Sequence, residues 1–155
     1  MLRLKDIDAK PVIDLLRQFD LEFIAVEDGK EIPGSHWGEE EAGLIGTCLY
    51  AREDTPVHSV FHEACHYFLM DESRRKNLHT DAGGTSREEN AVCYLQICLA
   101  SRFDEIGDQR MCSDMDSWGY SFRLGSARAW FNDDADDAIE FLKAGGFWQR
   151  FGLAG

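Results

Sequence analysis

Two histidines and a glutamate within five residues have the spacing of a zinc-binding motif. The segment 62–66 reads HEACH, an HExxH match. On a helix, positions i and i+4 share one face, so His62 and His66 can bind one zinc ion at ~2.0–2.1 Å. Glu63 lies about 100° further round the helix and is placed to act as a general base towards a water molecule that the metal activates. The pattern therefore predicts metal-assisted hydrolysis.

A third histidine, His58, lies one turn earlier in the same pattern. Positions i and i+8 of a straight helix are about 12 Å apart, so His58 and His66 are too distant to share an ion. We expect His58 to be a surface residue or one that supports a ligand, and not a ligand itself. The alternative to a metal site is that His62 and His66 are satisfied, partly buried histidines on an ordinary core helix.

A catalytic zinc ion takes three protein ligands and keeps one position open. Two adjacent glutamates, Glu88 and Glu89, begin a second helical pattern downstream. Glu88 is in phase with the apolar stripe of that helix, where a carboxylate is costly unless a cation neutralises it. Glu89 fits better as the exposed partner in a capping box that begins at Ser86. We predict Glu88 as the third ligand and keep Glu89 as the alternative; without the upstream motif, a solvated acidic first turn explains the pair.

Together the two motifs resemble those of the gluzincin metallopeptidases, in which HExxH is followed by a glutamate on a second helix. The pattern is most similar to that of the compact ImmA/IrrE-like peptidases and the minigluzincins, whose second motif commonly reads E-x-x-A-[N/D]-x-[F]-A. Residues 88–95, EENAVCYL, match at Glu88, Ala91 and, loosely, Tyr94. The resemblance covers about residues 43–100.

The resemblance implies a zinc metallopeptidase with one Zn²⁺ ion, held by His62, His66 and Glu88, and with Glu63 as the general base. It implies a peptide or protein substrate. It also implies that the strand before the active-site helix lies along the cleft and pairs with an extended peptide. The segment 43–51, GLIGTCLYA, is in the right place for that strand.

One position departs from the family pattern. Those families usually place Asn or Asp four residues after the ligand glutamate, where it orients a zinc-bound histidine, and this sequence has Val92. Support for the ligands must then come from elsewhere. A non-catalytic, metal-containing binding or regulatory domain derived from a metallopeptidase is therefore the alternative function.

Peptidases of this type also need a hydrogen-bond donor for the oxyanion, which a later Tyr, His or Arg supplies in many relatives. Tyr120 and Arg123 in SWGYSFRLG, and His79 in NLHTDAGG, are the candidates. We take Tyr120 as the predicted catalytic donor, although aromatic packing is the ordinary role of such a tyrosine.

Two other metal sites are weaker hypotheses. Cys48 suggests the upstream cysteine ligand of a peptide deformylase, but it lies only 14 residues before His62, and the glycine-rich segment of a deformylase is absent. The run DDADD at 133–137 lacks the Gly and Glu of an EF-hand loop and fits an acidic helix start.

The elements that must position these residues follow from apolar periodicity and turn residues. We predict a helix over 9–19 and strands over 21–26 and 43–51. A second helix runs from Pro56 to about Met70 and is capped by Asp54 or Thr55, and a third of about 15 residues is capped by Ser86. We expect an irregular segment over 104–124 and one broken or two short helices in the tail. This layout predicts an α+β fold. By the resemblance the fold is zincin-like, with a small sheet of two to four strands packed on the active-site helix, the glutamate helix and C-terminal helices. We expect a single domain over 1–155, with residues 43–100 carrying the metal-site core.

Net charge and cysteine content limit which partners and which cellular compartment we expect. The chain has 155 residues and a formal net charge of −13, which disfavours nucleic acid and anionic membranes as partners. The opening MLRLKDIDAK lacks the apolar core of a signal peptide, and no apolar run reaches the ~20 residues of a bilayer span. Five cysteines without a CxxC pair indicate free thiols in a reducing cytoplasm. The sequence specifies no oligomeric state.

Overall fold

The computed structural model describes residues 1–35, 38–76 and 85–153 and contains an α+β fold, as predicted. Backbone contacts divide the chain into two compact units, Met1–Gly83 and Gly84–Gly155. The expected single domain over 1–155 stays a prediction. Across the described residues, none of the helices combines the length and apolar character that a bilayer span requires.

After a 3₁₀ turn at Leu4–Asp6, the described part of the first unit contains three α-helices and three short strands. In chain order these are α1 (Lys10–Gln18), β1 (Glu22–Ala25), β2 (Gly43–Ile45), β3 (Cys48–Ala51), α2 (Val57–Leu69) and α3 (Glu72–Lys76). The predicted helix over 9–19, the strand over 21–26 and the helix ending near Met70 agree with α1, β1 and α2 within one or two residues. The sheet has the order β1-β3-β2, with β3 parallel to β1 and antiparallel to β2.

The prediction of one continuous strand over 43–51 is wrong. The segment folds back on itself, and Ile45 pairs with Cys48 across the two residues Gly46 and Thr47. Gly46 has φ +58°, a left-handed conformation that favours glycine and suits a tight hairpin. The turn is hard to recognise in the sequence, because the apolar residues on both sides of it have the pattern of a single strand.

The hairpin changes which strand lies at an edge of the sheet. The strand immediately before α2 is β3, and it is central, with partners on both sides. Of the segment 43–51, only β2 lies at an edge of the described sheet. A bridge between Ser35 and Gly43 adjoins one end of that edge. The approach is close, since a Cβ on Gly43 would overlap the carbonyl oxygen of Pro33.

The second unit is helical. It comprises α4 (Ser86–Ala100), α5 (Gly107–Trp118), α6 (Ala127–Asp133), α7 (Asp136–Ala144) and α8 (Phe147–Arg150). The helix α4 packs on both α5 and α7 and is the core of this unit. Its predicted apolar stripe is buried, and so are most of its other side chains from Ala91 to Ala100. An aromatic layer covers it, in which the Tyr94 ring stacks on Phe131 with 4.5 Å between centroids.

The helix α5 lies where an irregular segment was expected. Its sequence, GDQRMCSDMDSW, is rich in residues that disfavour helix interiors. Met111, Cys112 and Met115 nevertheless give it a buried stripe at helical spacing, and Gly119 ends it in a left-handed conformation at φ +112°. Packing against α4 therefore outweighs local propensity here.

The tail agrees with its prediction of short helices. The predicted break separates α6 from α7, and a further turn, α8, follows. The prediction that the DDADD run is an acidic helix start is confirmed for Asp136 and Asp137, which lie in the first turn of α7. Asp133 is instead the last residue of α6, and Asp134 is its C-cap.

Candidate metal centre

The helix α2, which carries the HExxH motif, begins without a side-chain cap. Its N-cap residue is Pro56, so the prediction that Asp54 or Thr55 caps the helix is wrong. The Thr55 hydroxyl instead accepts a hydrogen bond from the Arg52 amide. The first helical amide, that of Val57, donates to the carbonyl oxygen of Leu2 at 2.9 Å, so the N-terminal segment supplies the missing acceptor.

Helical spacing brings the two motif histidines together. The ring centroids of His62 and His66 are 4.8 Å apart, with 82° between the ring planes. His66 is buried, with 6% of its surface exposed, whereas His62 and Glu63 are half-buried. A pair of adjacent imidazoles with a partly accessible carboxylate beside them is the arrangement that the sequence predicts for a hydrolytic zinc site.

His58 is buried at 2% exposure, so the expectation of a surface position is wrong and the supporting role remains. Within the described part of the chain, the ring nitrogens of His58, His62 and His66 do not converge within 4.8 Å of one another. A three-histidine site on this helix is therefore not formed.

Long-range hydrogen bonds fix α2 against the rest of the first unit. The Ser59 hydroxyl accepts from the amide of Ala42, just before β2, at 3.0 Å. The Tyr67 hydroxyl donates to the carbonyl oxygen of Asp20 at 2.9 Å. Sequence reasoning missed both contacts, because the partners lie 17 and 47 residues apart and no local pattern marks them.

A bidentate ion pair stabilises the turn between β3 and α2. Arg52 binds Asp54 through Nε–Oδ1 at 2.9 Å and Nη2–Oδ2 at 3.0 Å. Hydrogen bonding to this guanidinium lowers the pKa of Asp54 below its usual range. Arg3 donates to the Asp54 carbonyl oxygen at 2.6 Å and pairs with Glu40 at 3.2 Å. These polar contacts stabilise the turn that leads into α2.

The two candidate glutamates lie in the first turn of α4, in the second unit. Thr85, and not Ser86, is the N-cap residue, and its hydroxyl accepts from the Glu88 amide at 3.2 Å. The third helical position therefore belongs to Glu88, and the argument that a capping box occupies Glu89 no longer holds. Glu88 is buried at 5% exposure and Glu89 is half-buried. Both remain candidate ligands.

The position that departs from the family pattern is apolar and fully buried. Val92, four residues after Glu88, has 0% of its surface exposed. It offers no polar atom with which to orient a metal-bound histidine.

The candidate oxyanion donors differ in their surroundings. Tyr120 is half-buried and stacks on Phe122, with 6.2 Å between centroids. Arg123 forms an exposed ion pair with Asp134, with 2.7 Å from Nε to Oδ2. His79 lies outside the described residues. Tyr120 stays the predicted donor, and the ordinary role of aromatic packing is visible beside it.

Comparisons with family models, with curated proteins and with solved structures find no match to this chain. The resemblance to the gluzincins therefore rests on two short motifs, HEACH at 62–66 and the Glu88 and Ala91 match on α4. The class of protein is accordingly a proposal, argued from the chemistry of these residues.

Proposed function

We propose that this chain is a zincin-like, zinc-dependent metallopeptidase that hydrolyses peptide bonds. The observation that carries the proposal is the pair of imidazoles of His62 and His66, 4.8 Å apart by ring centroids on one helix, with Glu63 between them in sequence. Imidazole nitrogens and a carboxylate oxygen are a ligand set that zinc prefers.

The residues present fit a zinc ion. The third ligand in this proposal is Glu88, whose buried carboxylate in the first turn of α4 suits a cation in a medium of low dielectric constant. Glu89, one residue on, is the alternative. The proposal requires this first turn to reach the two imidazoles, which variants of the two glutamates test directly.

The chemistry divides between the metal and the chain. Bound zinc supplies a Lewis acid that polarises the substrate carbonyl and lowers the pKa of water. Glu63 takes a proton from the attacking water and passes it to the leaving amine, so that one water and one peptide bond become a carboxylic acid and an amine, which at neutral pH are the carboxylate and the ammonium. Tyr120 is the proposed donor to the developing oxyanion.

The edge strand β2 is the proposed binding strand for an extended peptide. Pairing with a strand edge recognises backbone, which suits a peptide substrate. The hydrogen bond from the Ala42 amide to the Ser59 hydroxyl supports this assignment, because it ties the start of β2 to the helix that carries Glu63. The proposed compartment is the cytoplasm: all five cysteines lie within the described residues, and none forms a disulfide.

Replacing Glu63 tests the mechanism. In Glu63→Gln the ligands are intact, so we expect zinc content to stay at the wild-type level while hydrolysis of a quenched fluorescent peptide library falls by about 10²–10⁴-fold. Glu27→Gln, at an exposed position, is the matched control and should keep both the zinc content and the peptidase activity of the wild type. Peptidase activity retained in Glu63→Gln contradicts the proposed role.

A non-catalytic, metal-containing binding or regulatory domain is the second candidate, and the buried Val92 favours it. This candidate predicts that wild-type protein contains zinc and cleaves no member of the peptide library. The two functions therefore differ in activity at equal metal content.

A further inference from the structure

The last turn of α2 carries His66 and lacks an ordinary helix end. Carbonyl groups of the final four residues of a helix have no partner within the helix. Here α2 ends at Leu69, and Met70 follows in an extended conformation at φ −81° and ψ 151°. No left-handed glycine closes the helix. The Met70 amide donates to the Tyr67 carbonyl oxygen at 3.2 Å, and further donors to this turn must come from elsewhere in the chain.

Arg75, on α3, supplies donors to this turn. Its Nε donates to the Tyr67 carbonyl oxygen at 3.0 Å, and its Nη2 donates to the Phe68 carbonyl oxygen at 3.3 Å. The guanidinium carbon also lies 4.4 Å from the centre of the Tyr67 ring. One side chain therefore binds two carbonyl groups and stacks on the residue that follows His66.

The opposite end of the Tyr67 side chain is also held. Its hydroxyl donates to the Asp20 carbonyl oxygen at 2.9 Å. Tyr67 is thus fixed at its carbonyl, its ring face and its hydroxyl. A cation at this end of α2 is favourable as well, because the helix dipole places negative partial charge there.

We propose that Arg75 is a positioning residue for the metal centre, fixing the turn from which His66 projects. The inference rests on the proposed zinc site. A metal ligand has to be held within about 0.5 Å of its binding geometry, and the groups that support ligands are commonly worth 10–100-fold in metal affinity. Arginine suits the role because its planar fork reaches two acceptors at once, which a lysine ammonium does not reproduce.

The test is titration of metal-free protein with Co²⁺, followed by visible absorption, and with Zn²⁺ in competition with a chelator. We expect Arg75→Ala to weaken binding by about 10–100-fold and to shift the Co²⁺ absorption bands, because the geometry at His66 relaxes. Arg75→Lys keeps the charge and should recover only part of the affinity. Arg17→Ala, which removes an arginine from an exposed ion pair with Glu22, is the control and should bind as wild type.

The outcomes separate this inference from the proposed function. Wild-type protein that binds no Co²⁺, or a His66→Ala variant that binds it as wild type does, overturns the zinc site itself. If the wild-type protein binds Co²⁺, His66→Ala loses that binding, and Arg75→Ala keeps the wild-type affinity and spectrum, then only the role of Arg75 is overturned. Titrations are run at a temperature where near-ultraviolet circular dichroism shows every variant folded. If Arg75→Ala does not fold, Arg75→Lys decides, and wild-type affinity and spectrum in that variant overturn the inference.

Discussion

At the scale of the residue, the proposed metal centre needs a third ligand, and Glu88 and Glu89 of α4 are the two candidates. Neighbouring positions on a helix differ by about 100° in direction, so Glu88 and Glu89 cannot serve equally well. The Thr85 cap sets the phase of this turn, with Glu88 at the third helical position. Glu88 is the more buried of the two, with 5% of its surface exposed, and Glu89 provides a matched comparison one residue away.

Replacement of each glutamate in turn tests the assignment. Glu88→Gln removes a charged ligand, so we expect zinc affinity to fall by at least the 10–100-fold that weaker supporting changes cost. Glu89→Gln should change affinity by only a few-fold, through the loss of a nearby negative charge. Chelator competition measures both. The reverse order of effects assigns the ligand to Glu89 instead.

The histidine pair was predictable because it depends only on local spacing, whereas the residues that hold it were not. An i, i+4 pair is close on any helix, and the rings of His62 and His66 are adjacent as expected. The anchors of the same helix, Ser59 to Ala42 and Tyr67 to Asp20, join distant parts of the chain. Such contacts leave no periodic pattern in the sequence.

At the scale of the element, errors occurred where one residue or tertiary packing decides the structure. Gly46 divides an apolar segment into β2 and β3, although the segment reads as one strand. The helix α5 forms from a polar sequence because its methionine stripe packs in the second unit. Elements with strong periodicity and clear turn residues, such as α1 and α2, were predicted within two residues.

The turn that leads into α2 has a pH-dependent contribution to stability. The Arg52 ion pair lowers the pKa of Asp54 in the folded state, so its stabilisation is complete above the unfolded pKa of about 3.9 and is lost as the pH falls through the lower folded value. Because the Asp54 side chain is 43% exposed, solvent screening limits the effect to below about 1 kcal/mol.

Urea unfolding of Asp54→Asn and wild type between pH 7 and pH 3 measures this contribution. We expect the variant to be less stable by a constant amount above about pH 5, and the difference to shrink below about pH 4. Asp14→Asn, which removes an exposed ion pair with Lys10, is the control and should change the free energy of unfolding little. A difference that grows as the pH falls contradicts the assigned sign.

At the scale of the whole molecule, composition limits the chemistry more than it specifies it. A net charge of −13 suits binding of a cation and disfavours phosphate-rich partners. Two of the five cysteines, Cys98 and Cys112, are poorly suited to nucleophilic catalysis, since burial raises the pKa of Cys98 to about 12 and that of Cys112 to about 11. Composition could not predict the division into two compact units, because that depends on which elements contact one another.

Thiol labelling tests the environment of these cysteines. With such raised pKa values, the thiolate fraction of Cys98 and Cys112 at pH 8 is on the order of 10⁻⁴ to 10⁻³. We expect iodoacetamide to modify both at least about 10-fold more slowly in the folded chain than in urea, as followed by peptide mass spectrometry. Equal rates in the two states contradict the raised pKa values of these thiols.

Elemental analysis combined with native mass spectrometry tests most directly the proposal that His62 and His66 hold a zinc ion. Protein purified without added metal should contain one zinc ion per chain, and both His62→Ala and His66→Ala should lose it while Arg17→Ala keeps it. Wild-type protein without zinc, or histidine variants with unchanged zinc content and stability, contradicts the account.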